Sequence, residues 1–152
     1  MLDVILVEPE IPQNTGNIGR TCVGLGSKLW LVKPLGFELS DKYLRRAGLD
    51  YWQHLDYEVL ENVNEMFERF EGRRMWFFSK KVDRLYTDVA YAPDDVLVFG
   101  KETKGLSEDL LEEHRDQSVR IPLRPEARSL NLATAVAIAG YEVVRQLGIE
   151  IQ

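Results

Sequence analysis

Short apolar runs and stretches of helical period alternate along the chain. Residues 2–7 are a Val/Ile/Leu-rich run ended by Glu8 and Pro9, the pattern of a strand buried on both faces. Asn14 or Thr15 can cap a helix that continues to about Leu25, and Gly26 suits its C-terminal turn. Lys28–Val32 predicts a second strand, closed by Pro34 and Gly36. Ser40 with Asp41 opens a short helix through Arg46, which Gly48 stops. Residues 56–59 carry a weaker strand signal. Residues 62–70 read as a helix with Val63, Met66, Phe67 and Phe70 on one face, ended by Gly72. Met75–Phe78 and Val96–Phe99 predict two more buried strands, residues 106–114 a helix, and residues 118–121 a last strand. Residues 129–147 form the longest helical stretch, ending at Gly148.

Strand and helix in alternation argue for a mostly parallel sheet with helices on both faces. No repeat, low-complexity stretch or linker interrupts the pattern, so one α/β domain over residues 1–152 is expected. The last helix adds to this. Leu130, Leu132, Ala133, Ala135, Val136, Ala137, Ile138, Ala139, Val143 and Val144 leave hardly any polar face apart from Tyr141, Glu142 and Arg145. A helix apolar all round is buried on more than one side. A central helix within a monomer would give that pattern, but in a domain this small the second covering surface is expected to be another subunit. A homodimer follows.

Composition narrows the classes. The chain has 152 residues, 45% hydrophobic and 29% charged, ordinary for a globular protein able to build a core without disulfides or a structural metal. One cysteine, Cys22, fits a reducing cytoplasm. No run approaches the length needed to cross a bilayer, and residues 1–9 lack the basic start and small-residue cleavage site of a signal peptide. The expected location is the cytoplasm, with no membrane partner. Net charge is −6, which taken alone disfavours nucleic acid. Residues 55–72 carry −5 and residues 107–116 carry −4, however, so the remainder is at +3. Acidic helices can face solvent while a basic face meets RNA.

Ligands of open parallel sheets bind outside the C-terminal ends of the strands. Three segments fall there. In residues 8–20, Asn14, Asn17 and Arg20 are three apart along one helix edge, where amide and guanidinium groups can hold a ribose hydroxyl or a phosphate. An N-cap asparagine and a solvated arginine would look the same. Gly16 and Gly19 in the same helix suggest a close approach to the backbone. In residues 99–106, Gly100 follows a strand and Gly105 precedes a helix, so backbone amides can cradle a ligand, or simply turn. The glycine spacing is neither a dinucleotide fingerprint nor a phosphate loop. In residues 121–131, Arg124 and Arg128 flank a proline-stiffened loop that leads into Ser129 and Asn131 at a helix N-terminus, with Ser129 a candidate cap.

Other chemistries lack their residues. His54 and His114 have no partner at metal-ligand spacing, so no metal is expected. Ser129 has no neighbouring histidine to activate it, and Cys22 sits in an apolar helical stretch. The residues alone support an α/β domain that binds a nucleotide-like ligand through its loops.

The three segments, in this order and ending in that helix, resemble the SpoU-type ribose methylators of the SPOUT methyltransferase superfamily. The resembling strings are residues 14–20 (NTGNIGR), 98–106 (VFGKETKGL) and 121–137, which include RSLNLATAVA. Residues 8–14 (EPEIPQN) and 44–51 (LRRAGLDY) extend the resemblance to the TrmL (YibK) family, which methylates the wobble ribose of certain leucine tRNAs. The resemblance weakens between about residues 57 and 92. It implies an α/β domain with a C-terminal trefoil knot, a homodimer, and S-adenosylmethionine as cofactor with S-adenosylhomocysteine as product. It places cofactor contacts at Phe78, Gly100, Ile121, Ser129, Leu130 and Asn131. It lines the reaction centre with Asn17, Arg20, Ser129 and Asn131, and puts Tyr141 near the substrate. With no appended RNA-binding domain expected, the tRNA anticodon stem-loop falls to the dimer itself, with Arg45, Arg46, Arg124 and Arg128 as candidates. The implied reaction is attack of a ribose 2′-hydroxyl on the methyl carbon, in which the protein aligns the reactants. Arg20 is the family's nominal base, although a guanidinium that stays charged and steadies the developing alkoxide serves equally. Methylation at another RNA position, or a cofactor-binding RNA module without catalysis, would keep much of this pattern. A flavodoxin-like or dinucleotide-binding protein would need a glycine fingerprint that is absent.

Overall fold

The computed structural model describes residues 2–47 and 51–152, with the side chains of Arg45 and Ala47 outside the description. Gly48, expected to stop a helix, also lies outside it. Six strands, β1 (Asp3–Val7), β2 (Lys28–Val32), β3 (Tyr57–Leu60), β4 (Met75–Phe78), β5 (Val96–Phe99) and β6 (Ser118–Val119), form one sheet in the order β3-β2-β1-β5-β4-β6. Every neighbouring pair is parallel. Successive side chains of a strand point to opposite faces, and both faces here are covered. Val4 and Leu6 enter one core, with Ile18 and Cys22 of helix α1 (Pro12–Leu25) and Val136, Ala139 and Val143 of helix α5 (Leu132–Leu147). Ile5 and Val7 enter the other, beneath helices α3 (Val63–Arg69) and α4 (Glu108–Glu113). Val4, Ile5 and Leu6 are fully buried, each contributing about 1.5–3 kcal/mol. Helix α2 (Lys42–Ala47) packs outside α1. The expected parallel α/β sheet is what forms.

Most predicted bounds hold within a residue or two, and the departures are informative. Helix α1 begins at Pro12, ahead of Asn14 and Thr15, because proline suits a first helical position whose N–H has no partner. Strand β6 ends at Val119 rather than at residue 121, because Arg120 exchanges its backbone hydrogen bonds with Arg84 and Tyr86 instead of with β4. Helix α5 starts at Leu132, capped by Asn131 and not by Ser129: Asn131 Oδ1 accepts the Thr134 N–H at 3.2 Å.

The far end of the sheet uses one device twice. Asp3 accepts the Trp30 indole N–H at 2.7 Å and an Arg73 N–H at 2.7 Å. Asp95 accepts the Trp76 indole N–H at 2.8 Å, the Ala92 N–H at 2.8 Å and the Arg74 guanidinium at 2.7 Å. Burial alone would raise the Asp95 pKa, but the Arg74 hydrogen bond, with Ala92 and Trp76, outweighs it and holds the carboxyl below the usual carboxylate value. A depressed native pKa contributes stability that is present above about pH 4 and lost as pH falls through the native value. Asp95→Asn is therefore expected to lower the melting temperature at neutral pH and to flatten its fall in acid. Parallel melting curves for the two proteins between neutrality and pH 3 check this.

Candidate functional site

Four loops leave the C-terminal ends of β1, β4, β5 and β6 and enclose a cavity of about 1100 Å³. It opens where the sheet reverses direction: β1 leads outward through β2 and β3, whereas its other neighbour is β5, the crevice in which parallel sheets bind ligands. Phe78, Gly100, Ile121, Ser129, Leu130 and Asn131 all line it, although residues 78 and 131 lie about a third of the chain apart. Phe78 and Phe99 stack at 4.7 Å between ring centroids and end the neighbouring strands β4 and β5 in an apolar wall. Leu123, Leu132 and Ala135 extend the apolar lining.

Gly100 shows why the second loop carries glycine. A Cβ built there would run into the Gly105 carbonyl carbon and the Leu106 nitrogen, and would lie 2.7 Å from Gly105 Cα. The loop folds back on itself, with the Gly105 N–H donating to Lys101 O at 2.8 Å and Gly105 at φ 65°. Lys81 tethers the same loop, its ammonium donating to Lys104 O at 3.1 Å and Leu106 O at 3.3 Å.

The third loop is strained where it enters the cavity. Arg128 has φ 65° and ψ −63°, and the Ser129 N–H donates to Ala127 O at 2.8 Å across this tight turn. Such backbone costs on the order of 1–3 kcal/mol and persists where surrounding contacts hold it. Lys80 supplies one such contact, donating to Arg128 O at 3.2 Å. The other non-glycine residue with positive φ among the described residues is Glu8, at 55°, which also lines the cavity.

A polar network ties the first, second and third loops together. The α1 N-terminus has no side-chain cap of its own, and the Glu102 carboxylate takes that role from the second loop. It accepts the Glu10 N–H at 2.9 Å, the Ile11 N–H at 2.7 Å and Asn14 Nδ2 at 3.3 Å. Glu10 answers in the opposite direction, accepting the Thr103 N–H at 3.0 Å and hydroxyl at 2.7 Å. The Thr103 hydroxyl, then its backbone N–H, hold the Glu10 carboxyl below its ordinary pKa. Asn14, turned by Glu102, accepts Asn131 Nδ2 at 3.0 Å, and Asn131 in turn caps α5. Asn131→Ala is expected to cost about 1 kcal/mol of stability through the lost cap and to lower ligand affinity and turnover together. Calorimetric titration with S-adenosylmethionine separates the roles: unchanged affinity with lost turnover would move Asn131 from loop positioning to the chemistry.

Glu10, Glu102, Thr103, Lys80 and Lys81 were not among the candidate residues. Glu10, Glu102 and Thr103 sit inside the resembling strings, but their partners lie some 90 residues away, and no local spacing signals such pairs.

Asn17, Arg20 and Tyr141 are not brought into the cavity lining. A step of three residues advances a helix by about 300°, so two steps rotate the side chain by about 120°. Asn14 is therefore buried toward the loops, while Asn17 and Arg20 emerge on the exposed side of α1. Arg20 lies over the Tyr51 ring, 4.5 Å from its centroid. Tyr141 is 50% exposed on α5, beside Gly24 of α1. Arg46, Arg124 and Arg128 are exposed, and the Arg45 side chain lies outside the described residues. Four lysines at the cavity, Lys80, Lys81, Lys101 and Lys104, stand beside acidic Glu8, Glu102, Glu108 and Asp109.

The remaining candidates are structural. Burial pushes the Cys22 thiol up to about 12, far from a thiolate nucleophile. His114 stacks against Phe67 and Phe77 at 5.1 and 4.8 Å. Among the described residues, no group of three or more His, Cys, Asp and Glu could hold a metal ion, and no helix is long and apolar enough to cross a membrane.

Residues 1–141 match the SpoU rRNA Methylase family. The chain belongs to this SpoU methylase family. It is 46% identical over 150 residues to a tRNA (cytidine(34)-2'-O)-methyltransferase of Methylovorus glucosotrophus, covering 96% of both chains. It is 44% identical to one of Saccharophagus degradans, covering 97% of both. A structure described as giving insight into the 2-OH methylation of C/U34 on tRNA superposes with a TM-score of 0.92, at 43% identity over 97% of each chain. The SpoU methyltransferase AviRb of Streptomyces viridochromogenes, in complex with AdoMet, superposes at 0.86 with 26% identity, over 97% of this chain and 58% of that one.

Proposed function

We propose that this SpoU-family chain is a tRNA 2′-O-ribose methyltransferase that uses S-adenosylmethionine and acts on the wobble nucleotide, cytidine or modified uridine at position 34, of leucine tRNAs. The observation that carries this reading is the convergence of all six candidate cofactor residues on one cavity at the sheet's switch point. The names of relatives matched over nearly the full chain, and a family structure in complex with AdoMet, support it.

The cavity fits the cofactor's chemistry. Phe78, Ile121, Leu123 and Leu130 offer apolar surface to a purine, and the backbone of residues 100–106 can meet polar edges without side chains. Glu8, paired with Lys101 at 3.4 Å, and Glu102 would supply negative charge to a cationic ligand in the cavity. When bound, the cofactor supplies a methyl group already activated on a sulfonium. The protein's share is alignment and exclusion of water, worth about 7–11 kcal/mol of barrier when reactants are well oriented. Arg20 grips a phosphate and steadies the charge that develops on the 2′-oxygen, whose proton passes to bulk water. The reaction so written uses no metal.

The proposal includes residues 1–152 as one methyltransferase domain in the cytoplasm, a C-terminal trefoil knot and a homodimer. Supporting the knot, the segment between β4 and β5 holds the C-terminal chain on both sides of the third loop. Arg120 exchanges backbone hydrogen bonds with Arg84 and Tyr86, and Gln146 bonds to Val89 and Tyr91. Supporting the dimer, α5 and the following residues expose Tyr141, Ile149 and Ile151. A dimer built on that face covers the α5 surface and adds a second chain's Asn17, Arg20, Arg46, Arg124 and Arg128 to the surface that grips the anticodon stem-loop.

The deciding experiment is transfer of labelled methyl groups to unmethylated tRNA, followed by nucleoside mass spectrometry. A 2′-O-methylated pyrimidine at position 34 is the expected product. Methylation mapped elsewhere would overturn the substrate, and cofactor binding without incorporation into any tRNA would overturn the activity.

A further inference from the structure

Arg20 is held in an unusual way for a surface arginine. Its guanidinium carbon sits 4.5 Å from the Tyr51 ring centroid, and among the described residues it forms no ion pair or hydrogen bond. A carboxylate partner would occupy the donors of the guanidinium fork. A ring face fixes the plane and leaves the N–H edge free.

The segment carrying Tyr51 is itself anchored to α1. The His54 N–H donates to Tyr51 O at 2.9 Å, closing the turn that begins there, and Leu55 beyond it is buried. This segment meets α1 at Gly19, the residue before Arg20. A Cβ on Gly19 would lie 3.0 Å from Leu55 Cδ2 and 3.4 Å from Trp52 Cζ3, so a bare glycine lets the turn come close. Trp52 also packs on Tyr57 of β3 at 5.0 Å between centroids. The ring is thus placed over Arg20 from the sheet outward.

We propose that Tyr51 is a positioning residue for Arg20: its ring covers one face of the guanidinium and leaves the N–H edge free for an anionic oxygen of the RNA. This rests on the methyltransferase reading above. The ring, and not the hydroxyl, carries the effect.

Two readouts test it on the full chain. In the first, the Arg20 side-chain Nε–H resonance, assigned by its loss in Arg20→Lys, is followed in Tyr51→Leu and Tyr51→Phe. A ring-shifted signal in wild type and Tyr51→Phe that moves to the solvent-exposed position in Tyr51→Leu is expected, and an unmoved signal overturns the stack whatever the activity. In the second, methyl transfer to tRNA is measured. Tyr51→Leu is expected to lose about tenfold in kcat with the KM for S-adenosylmethionine unchanged, while Tyr51→Phe stays within about twofold of wild type. In an Arg20→Ala background, Tyr51→Leu is expected to add nothing, whereas a general structural role would add its own loss. Wild-type turnover in Tyr51→Leu, or equal loss in Tyr51→Phe, overturns the proposal. A wild-type protein that transfers no methyl group to any tRNA overturns the activity, and the resonance shift then still reports the stack separately.

Discussion

Gly100→Ala is expected to abolish S-adenosylmethionine binding and with it methyl transfer. The added methyl collides with backbone atoms of Gly105 and Leu106, which have no rotamer to change. The loop can relieve the clash only by opening, which breaks the Gly105 to Lys101 hydrogen bond and draws Leu106 out of the core, where it is 2% exposed. Overpacking of this kind costs about 1–3 kcal/mol. The fold, with a whole sheet behind it, is expected to survive with a lowered melting temperature, while the cavity is not. Calorimetric titration beside a melting curve checks both: undiminished cofactor affinity would show that the 100–106 loop is not part of the binding site.

Arg20→Ala is expected to lose methyl transfer by about a thousandfold, the scale of removing a donor that stabilises developing negative charge. Cofactor affinity is expected to stay at the wild-type value, because Arg20 does not line the cavity. Arg20→Lys distinguishes the two chemical roles. A charge-stabilising role leaves Lys with part of the activity, about ten- to a hundredfold below wild type, since the charge stays but the planar fork and its stacking are lost. Near-normal turnover in Arg20→Ala would remove Arg20 from the reaction altogether.

Strands were legible because burial on both faces demands unbroken apolar runs. Lys28–Val32, Met75–Phe78 and Val96–Phe99 end where those runs end. Helix starts were less so. Asn14 has the chemistry of a cap and is instead the middle member of a relay between Glu102 and Asn131. Ser129 looks like the cap of α5, but the turn at Arg128 and the Asn131 bond to Thr134 delay the helix.

The candidate site divides in the same way. Gly100 was marked by its glycine loop and Ser129 and Asn131 by a helix start, the family resemblance made Phe78, Ile121 and Leu130 candidates, and all six meet in one cavity. Asn17 and Arg20 were grouped with Asn14 by spacing, but helical rotation separates them, and a ring 31 positions along the chain takes hold of Arg20. Residue order thus settled the elements and the parallel α/β class, because each strand and helix answers to its neighbours in sequence. Tertiary structure alone decided the Glu102 cap, the Glu10–Thr103 return contact, the closure at Gly100 and the Tyr51 stack. Each joins groups whose nearness depends on how the elements pack, and the spacing of residues along a chain carries no record of that.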